Sequence, residues 1–464
     1  MENSKNTELS VARNLKIALF HLGSGMADVL TTGVWNRIMV ADLGFGATFV
    51  GLLTGLRYFL APLGVIAGRY SDTHTIGGFR RLFWVWLGRA MMALSTVTLG
   101  FATADLVQRA QTGSSDETPF ILWLALVLSF LLFSLGSAIS GSTFLALIYD
   151  RAAEGQRGRA VGLVWTFLLI GFAAGGVFFS LMLPPEDDAG QLGFSADSVL
   201  TLFLVTAGVF TALWFFSLLG EEKRNKPIDE PREDQHTSLR HDLSLVWRSR
   251  VMTFFLYYLV LSMVFTFLQD TVLEPFAGEV FGMGAHITNR FAAYWGGMAI
   301  LGSFVVLFLS GKHALFNNRN LSRGGVMVLV LAYALFAVSS LGQARPLVTP
   351  GLALLGVGMG IWNIGTLGMM MEMSPEGRAG TFLGFWTLCV TFARGSGVAG
   401  GGIVRDIVLS ITGEHTIAYG VVFFCGIVGL ALALVALWQV KKAEQPYEPR
   451  SDAELAAVLS HSMD

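Results

Sequence analysis

Ionisable and amide side chains interrupt two strongly apolar stretches of this sequence. In the first stretch, His21 and Asp28 are seven residues apart, so a helix would place them on one face. Asn36 and Arg37 follow near the end of the same stretch. An ionisable group is costly to bury in an apolar segment, which makes each of these residues a candidate for binding or proton transfer.

The second stretch carries Gln269, Asp270 and Glu274, with the two acids four residues apart and Pro275 beside them. Two neighbouring carboxylates in a low-dielectric setting cannot both be ionised cheaply. We expect Asp28, Asp270 and Glu274 to line a central cavity, where they can bind a polar group or carry a proton. The candidate counter-charges are Arg57, Arg89, Arg290 and Arg394.

A structural role is the alternative for each of these residues. The acids and arginines can pair with one another and simply fasten helices together. His21 can be a hydrogen-bonded contact between helices, but a neutral imidazole can also be an axial ligand to the metal of a flat tetrapyrrole. The residues alone leave these alternatives open.

Twelve long apolar stretches must position these side chains. Hydrophobic residues make up 53% of the 464 residues and charged residues only 14%. About 20 apolar residues cross a bilayer as a helix, which satisfies the backbone polar groups within the segment. We therefore predict an all-α integral membrane protein with twelve transmembrane helices. The predicted crossings are 15–41, 48–70, 80–104, 119–148, 160–183, 197–219, 251–277, 289–311, 324–342, 348–373, 379–402 and 416–440.

The distribution of Lys and Arg predicts the orientation of these crossings. One set of loops carries most of the basic residues, whereas the other carries only Arg109, Arg345 and Arg405, with Arg290 at a crossing edge. Because cytoplasmic loops hold the excess of Lys and Arg, we expect both termini to be cytoplasmic. The first stretch is too long for a cleaved signal peptide, so we expect the N-terminus to be kept.

Residues 220–250 divide the chain into two halves. This segment is polar, charged and broken by prolines, and six predicted crossings lie on either side of it. We predict an N-terminal six-helix bundle over 1–219, a linker over 220–250, a C-terminal six-helix bundle over 251–440 and a cytoplasmic tail over 441–464. Two related six-helix halves are typical of one large transporter architecture.

A weak internal repeat favours the same division. Arg157 and Trp165 at the start of crossing five are eight residues apart, as are Arg378 and Trp386 at the start of crossing eleven. Within the linker, apolar side chains recur at helical spacing over residues 239–247. This pattern predicts either a short helix on the cytoplasmic membrane surface or an ordinary solvated helix.

The loop after crossing two runs from Gly68 through Asp72 to the basic pair Arg80 and Arg81. This order of residues resembles the signature of the major facilitator transporters. We expect the acid and the basic turn to form a charge clasp that latches one conformation of two rocking bundles, although a simple basic cytoplasmic loop is the alternative. The further candidates for the latch are Asp150, Arg157, Glu372 and Arg378.

Other kinds of site are not indicated by the sequence. Cys389 and Cys425 lie inside apolar crossings without a partner at metal-ligand spacing, so we expect two small buried residues and no metal site. There is no Walker-type phosphate loop, dinucleotide-binding fingerprint or zinc spacing, and the charge pattern does not suggest nucleic-acid binding. We predict that the protein is not an enzyme and has no intrinsic cofactor.

Three segments resemble the PucC family, the bacteriochlorophyll-delivery branch of the major facilitator superfamily. They are residues 36–40 in crossing one, residues 71–74 with the basic pair 80–81 after crossing two, and residues 268–278 in crossing seven. The last segment is the most specific, because it joins two membrane acids to a proline. The resemblance extends over roughly residues 13–440.

The resemblance implies a role in assembling light-harvesting complexes in the inner, photosynthetic membrane of a bacterium. Members of the family are thought to deliver bacteriochlorophyll or chlorophyll, or to guide antenna polypeptides as they oligomerise. The implied partners are light-harvesting or reaction-centre polypeptides, a tetrapyrrole pigment as cargo, and the lipid bilayer. Under this interpretation the pigment-binding candidates are His21, Asp28, Asn36, Arg37, Gln269, Asp270 and Glu274.

Two other functions are compatible with the same residues. A proton-coupled carrier of small solutes would have a hydrated cavity and would depend on Asp270 or Glu274. A non-transporting scaffold would dock antenna helices on its lipid-facing surface, and its inner charges would be unimportant for assembly. The sequence does not choose between pigment and peptide as cargo.

Overall fold

The structure is a computed structural model that describes residues 10–113, 118–151, 157–183, 185, 192–222, 249–310, 317–374 and 379–443. Most of the described backbone is helical. Ile76 and Phe79 pair as an isolated bridge within the loop that follows the second crossing. The prediction of an all-α protein is therefore confirmed.

The described part of the N-terminal half contains seven α-helices, of which the second and third share one crossing. The first is extended by two π-helical segments, Leu30–Trp35 and Ile38–Asp42, so that α1 and these segments form one long rod. The helices are α1 Val11–Val29, α2 Ala47–Phe59, α3 Ala61–Thr73, α4 Leu82–Gln111, α5 Phe120–Arg151, α6 Arg157–Met182 and α7 Ala196–Phe216.

The C-terminal half continues the numbering with eight α-helices. A 3-10 turn, Phe267–Gln269, follows the first of them, and a second 3-10 turn, Arg345–Leu347, precedes α13. The helices are α8 Arg250–Thr266, α9 Leu273–Phe281, α10 Ala285–Thr288, α11 Phe291–Ser310, α12 Asn318–Leu341, α13 Val348–Glu372, α14 Ala379–Thr412 and α15 His415–Ala443.

Ten segments of the described chain are long and apolar enough to cross a membrane. Two further long helices pack among them. The first is α11, with 20 residues, which packs against α6 and α13. The second is α14, with 34 residues, which packs against α2 and α8. These twelve segments correspond to the twelve predicted crossings. The chain is a multi-pass membrane protein, whereas the orientation of its termini stays a prediction.

The buried apolar side chains form two clusters. One runs from Ile17 to Leu218 and also includes Ala285 and Ala292, and the other runs from Phe255 to Val440 and also includes Tyr58. Each half therefore has its own core, with a few residues donated by the other half. The predicted domain boundaries stay a prediction, and the predicted linker helix lies outside the described residues.

α1 and α6 approach so closely that glycine is needed where they cross. A Cβ added to Gly25 would lie 3.0 Å from the Cα of Gly171, and a Cβ on Gly171 would lie 3.0 Å from the Cα of Gly25. Small residues permit this kind of close helix packing in membranes. The contact fixes α1 at a point between His21 and Asp28, so it helps to position both side chains.

Three crossings are locally irregular. The first becomes π-helical from Leu30 onwards, and the second is interrupted at Leu60, next to the Pro62 that opens α3. Proline has no amide hydrogen and clashes with the preceding turn, which explains the second interruption. The seventh crossing leaves α-helical geometry over residues 267–272. Two of these irregular segments carry residues of the candidate site.

Candidate functional site

Two acids and two arginines meet where the halves face each other. Asp28 of α1 pairs with Arg57 of α2. The Nη2 atom of Arg394 in α14 lies 3.8 Å from Oδ2 of Asp28 and 3.7 Å from Oδ2 of Asp270, so it bridges the two acids. We call these four residues the central quartet. Its formal charges cancel, which is how ionisable groups are normally tolerated inside a membrane protein.

Aromatic rings hold the two arginines of the central quartet in place. Arg57 donates from Nη2 to the hydroxyl of Tyr58 at 2.8 Å. The guanidinium of Arg394 lies 4.9 Å from the ring centre of Tyr58 and 4.1 Å from that of Phe267. Cation–π contacts of this kind strengthen when water is excluded. The arginines are therefore preorganised, with their charged ends directed at the acids.

The interruption of the seventh crossing places Asp270 in the central quartet. The backbone amide of Asp270 donates to the carbonyl of Phe267 at 3.2 Å, as in a 3-10 turn, and Gln269 donates from its side chain to Oδ1 of Asp270 at 2.5 Å. Asn36 donates from Nδ2 to the carbonyl of Thr271 at 2.8 Å. An interrupted helix needs such partners for the backbone groups that lose their helical bonds.

Glu274 lies apart from Asp270 instead of one turn along the same α-helix. It is in the first turn of α9, after the interruption, and is 6% exposed. Its Oε1 atom faces Gly33, 3.7 Å from the position that a Cβ would take there. Within the described residues no ion pair to Glu274 is found. The two predicted acids therefore occupy different surroundings, and only Asp270 belongs to the central quartet.

Arg37 points away from the central quartet and ties α1 to the C-terminal half. It pairs through Nη1 with Asp42 at 2.6 Å and donates from Nη2 to the carbonyl of Met283 at 2.8 Å. Its guanidinium occupies the space that a Cβ on Gly278 would need, 2.5 Å from Cζ. Asn36 and Arg37, both predicted to bind cargo, are thus engaged in contacts between the halves.

His21 and Arg89 lie in the N-terminal half, on the side of Asp28 that is nearer the chain terminus. The His21 ring stacks on Phe144 with 4.9 Å between ring centres. The Arg89 guanidinium lies 4.3 Å from the ring centre of Phe20 and 4.7 Å from that of Trp214. Neither side chain belongs to the central quartet: His21 lies about two turns before Asp28 on α1, and Arg89 is carried by α4.

A second charged cluster lies within the C-terminal half at the far end of the bundle, where α14 ends. Arg405 donates from Nη2 to both carboxylate oxygens of Glu279 at 2.5 Å and pairs from Nη1 with Asp406 at 2.8 Å. His415 contacts Glu279 at 3.0 Å, and Tyr419 also donates to that carboxylate. We call these five residues the far-end cluster.

Sequence reasoning missed the far-end cluster because it ended crossing eleven at residue 402 and assigned Arg405 to a loop. The helix continues to Thr412, so Arg405 and Asp406 lie within it. A signal for this extension exists in the sequence, because apolar residues continue at helical spacing beyond residue 402. These apolar residues are Ile403, Val404, Ile407 and Val408.

A further contact at the far end joins α6 to the segment before α11. Ser180 donates to the carbonyl of His286 at 2.6 Å, and Arg290 donates from Nε to Ser180 Oγ at 2.7 Å. Burial, and then the charge of Arg290, lower the pKa of His286. Arg290 therefore serves this contact, and it is not a counter-charge for the central acids.

The predicted latch residues meet at the opposite end of the bundle, which we call the terminal end. Arg81 pairs with Asp72 and lies 3.3 Å from Asp150, while Arg80 lies 2.6 Å from Asp150. Arg81 also donates to the carbonyl of Gly68 at 3.3 Å. All five residues belong to the N-terminal half, so this clasp joins helices within one bundle and does not itself bridge the two halves.

Three predicted latch residues, Glu372, Arg157 and Arg378, are not part of the clasp that the structure describes. Glu372 accepts a hydrogen bond from Asn318 at 2.7 Å within the C-terminal half. Arg157 begins α6, but its side chain lies outside the described part of the structure, as does the whole of Arg378. The latch assignment of these residues stays a prediction.

Two acids that sequence reasoning did not select complete the terminal end. Glu221 pairs with Arg13 at 2.7 Å and with Lys16 at 3.2 Å. Glu222 accepts from the backbone amides of Arg80 at 2.8 Å and Leu82 at 2.7 Å, and so caps the start of α4. A carboxylate is favoured at a helix N-terminus because the first amides lack helical partners.

The hydrogen bonds that join the halves are unevenly distributed along the bundle. Among the described residues, they lie at the level of the central quartet or towards the far end, and the clusters at the terminal end stay within one half. The interface is therefore closed by polar contacts at the far end. In the same described part of the chain, no group of His, Cys, Asp and Glu side chains could hold a metal ion.

Comparison with known proteins identifies a family and several relatives of this chain. Residues 34–445 match the family described as PUCC protein. The chain is 28% identical to Protein PucC of Rhodovulum sulfidophilum over 407 residues, 86% of each chain. It is 31% identical to the bacteriochlorophyll synthase 44.5 kDa chain of Rhodobacter capsulatus over 427 residues, 88% of this chain and 90% of that one.

The fold is also shared with solved transporters. A bacterial homologue of the human lysosomal transporter Spinster, in an inward-facing and unoccupied conformation, superposes with a TM-score of 0.70. The two are 13% identical, and the similarity covers 96% of this chain and all of that one. At this identity the similarity shows the fold alone, which is the major facilitator fold predicted from the sequence. Together with the sequence match over residues 34–445, it leads to one conclusion: this chain belongs to the PUCC protein family.

Proposed function

We propose that this protein assists the assembly of light-harvesting complexes by binding a chlorophyll-type pigment between its two halves. Its relatives carry the names PucC and bacteriochlorophyll synthase chain, which supports a role linked to photosynthetic pigment. The transporter fold supplies a membrane-embedded interface between two bundles. We propose a binding role, without catalysis, in a bacterial photosynthetic membrane.

The central quartet is the observation that carries this proposal. It is charge-balanced, flanked by Tyr58 and Phe267, and still partly exposed, with Asp28 and Arg394 about a quarter accessible. A large flat pigment offers a wide apolar surface and few polar atoms. Such a ligand suits a site with few, preorganised polar groups among aromatic side chains.

The proposed partners follow from the same chemistry. A pigment with a long apolar tail would reach the interface from the lipid and would leave towards an antenna polypeptide in the same membrane. We therefore propose light-harvesting or reaction-centre polypeptides as the receivers, and a topology with both termini cytoplasmic, in line with the distribution of Lys and Arg.

The absorption spectrum of the gently purified protein tests the proposal. We expect wild-type protein to carry pigment bands and Asp28→Asn to lose most of them, because Arg57 and Arg394 would lose their common partner. Asp105→Asn is the matched control, since in the described structure Asp105 pairs only with the exposed Arg109 of its own helix, at 3.0 Å. Deletion of the gene should lower antenna complexes while pigment synthesis continues. Colourless wild-type protein together with unchanged antenna levels would contradict the proposal.

Proton-coupled transport of a small solute is the second candidate, and the position of Glu274 favours it. A buried carboxyl with no ion pair in the described structure is a suitable proton carrier, because a buried lone charge is costly. In proteoliposomes, this function predicts uptake that depends on a proton gradient and stops in Glu274→Gln. Uptake that is unchanged in Glu274→Gln would remove this candidate.

A further inference from the structure

We propose that the Nε2 atom of His21 ligates the central magnesium of the bound pigment, in a subsite that His21 shares with Arg89. This inference rests on the proposed function and specifies how the N-terminal half recognises the cargo. The subsite lies on the same face of α1 as Asp28 of the central quartet, about two turns away.

Aromatic side chains fix the His21 ring. Its plane is tilted by 28° from that of Phe144, with ring centres 4.9 Å apart, and Trp165 meets it edge-on at 6.1 Å and 90°. Trp165 is itself 48% exposed, so the rim of this subsite is open. A ring held between aromatic neighbours presents its free nitrogen in one direction, which is what a metal ligand requires.

The imidazole of His21 makes no hydrogen bond within the described residues. Its Nδ1 atom is fully enclosed and unpaired. Its Nε2 atom is not enclosed, and the side chain as a whole is half-buried. Because Nδ1 is enclosed, Nε2 is the ring nitrogen that a metal ion can reach.

Arg89 provides a second, independent observation in the same place. It is 4% exposed, yet its guanidinium forms no ion pair among the described residues, and its Nε atom is enclosed and unpaired. Its one hydrogen bond is weak, from Nη1 to the sulfur of Met92 at 3.3 Å. Both Arg89 and His21 contact the ring of Phe20, so the two side chains border the same aromatic ring.

The chemistry of a chlorophyll-type pigment fits these two groups. Its four ring nitrogens leave the magnesium an open axial position, which the lone pair of a neutral imidazole nitrogen can fill. Carbonyl oxygens at the edge of the ring can accept hydrogen bonds from the free donors of Arg89. The imidazole nitrogen donates its lone pair into that open position, and no covalent bond of pigment or protein is broken.

The metal dependence of binding tests this inference. The probes are bacteriochlorophyll a and the same pigment without magnesium, bacteriopheophytin a, each titrated into the full-length protein in detergent. We expect wild-type protein to bind the magnesium pigment about tenfold more tightly, a typical effect of one good ligand bond. His21→Leu should bind the two pigments equally, with its affinity for the metal-free pigment retained, which also shows that the variant is folded.

Three further measurements complete the test. His74→Leu, in the loop after crossing two, should keep the wild-type preference for magnesium. His21→Gly should lose the preference and regain it when free imidazole is added. Arg89→Met should weaken the binding of both pigments while leaving their ratio unchanged.

The outcomes separate this inference from the proposed function. Equal affinity of wild-type protein for the two pigments would overturn the role of His21 but leave pigment binding standing. Failure of wild-type protein to bind either pigment would overturn both. A preference that persists in His21→Leu would assign the magnesium ligand to another residue and would also overturn the inference.

Discussion

Asp406 of α14 accepts a hydrogen bond from the backbone amide of Thr48 at 2.7 Å, and thereby caps α2 from the opposite half of the molecule. Its second oxygen accepts from the amide of Ala47 at 3.1 Å. The residue before α2 is Gly46, which has no side chain to provide this cap. The helix that carries Arg57 is therefore completed only when the halves are joined at the far end.

Removal of this cap is expected to loosen the far end. Asp406→Ala should lower the free energy of unfolding by about 1–2 kcal/mol, because two helix amides lose their acceptor. Asp406→Asn should cost less, since its amide oxygen can still accept one bond. The melting temperature in detergent measures both effects, and Asp105→Asn is the control. Equal melting temperatures for wild type and Asp406→Ala would show that the cap does not stabilise the protein.

The central quartet predicts a strong coupling between Asp28 and Arg57. Arg57→Met should destabilise the protein by about 3–5 kcal/mol, because it leaves a largely buried acid without its nearest counter-charge. The double variant Asp28→Leu/Arg57→Met should recover part of this loss, since both charges are then absent. A double-mutant cycle on thermal stability measures the coupling. Additive effects of the two substitutions would argue against a direct pairing.

The packing of Arg37 on Gly278 predicts that a single methyl group disturbs the contact between the halves. Gly278→Ala should cost about 1–3 kcal/mol, because the guanidinium must leave its position between Asp42 and Met283. Gly324→Ala in α12 is the matched control, because a Cβ there meets open space. We expect that control to be neutral or slightly stabilising, given the better helix propensity of alanine.

Because Glu222 caps the start of α4, we expect its removal to have a local effect at the terminal end. Glu222→Ala should destabilise the start of α4 by about 1 kcal/mol, through the loss of the hydrogen bonds to the amides of Arg80 and Leu82. Hydrogen exchange of those amides should accelerate. Glu372→Ala is the comparison, because Glu372 is exposed and contacts only the side chain of Asn318 in the described structure. Unchanged exchange in Glu222→Ala would show that water replaces the carboxylate without loss.

Much of the fold follows from the sequence because a bilayer requires long apolar helices. The twelve predicted crossings correspond to twelve helical segments for this reason. The meeting of Asp28 with Arg57 and Arg394 also follows, since charges inside a membrane protein must find partners. The clasp of Asp72 with Arg81 was likewise expected from the order of residues in one short loop.

Two residues lie elsewhere than the sequence predicts, because their positions depend on contacts between distant segments. The sequence predicts that Glu274 lies beside Asp270, but the chain between the two residues leaves the α-helix. The carbonyl of Thr271 in this interruption accepts a hydrogen bond from Asn36 of the other half. Arg405 was placed in a loop because charge usually ends a crossing. It stays helical because Glu279, on a distant segment, neutralises it.

The π-helical part of α1 has a mechanical consequence. A π-turn holds one more residue per hydrogen-bonded loop than an α-turn, and such turns are rare. Rewinding by one residue would swivel the following side chains by roughly 100° about the axis. Asn36 would then swing off Thr271 and Arg37 off Met283 in the same movement. A change of winding in this one segment would therefore release both contacts between α1 and the C-terminal half.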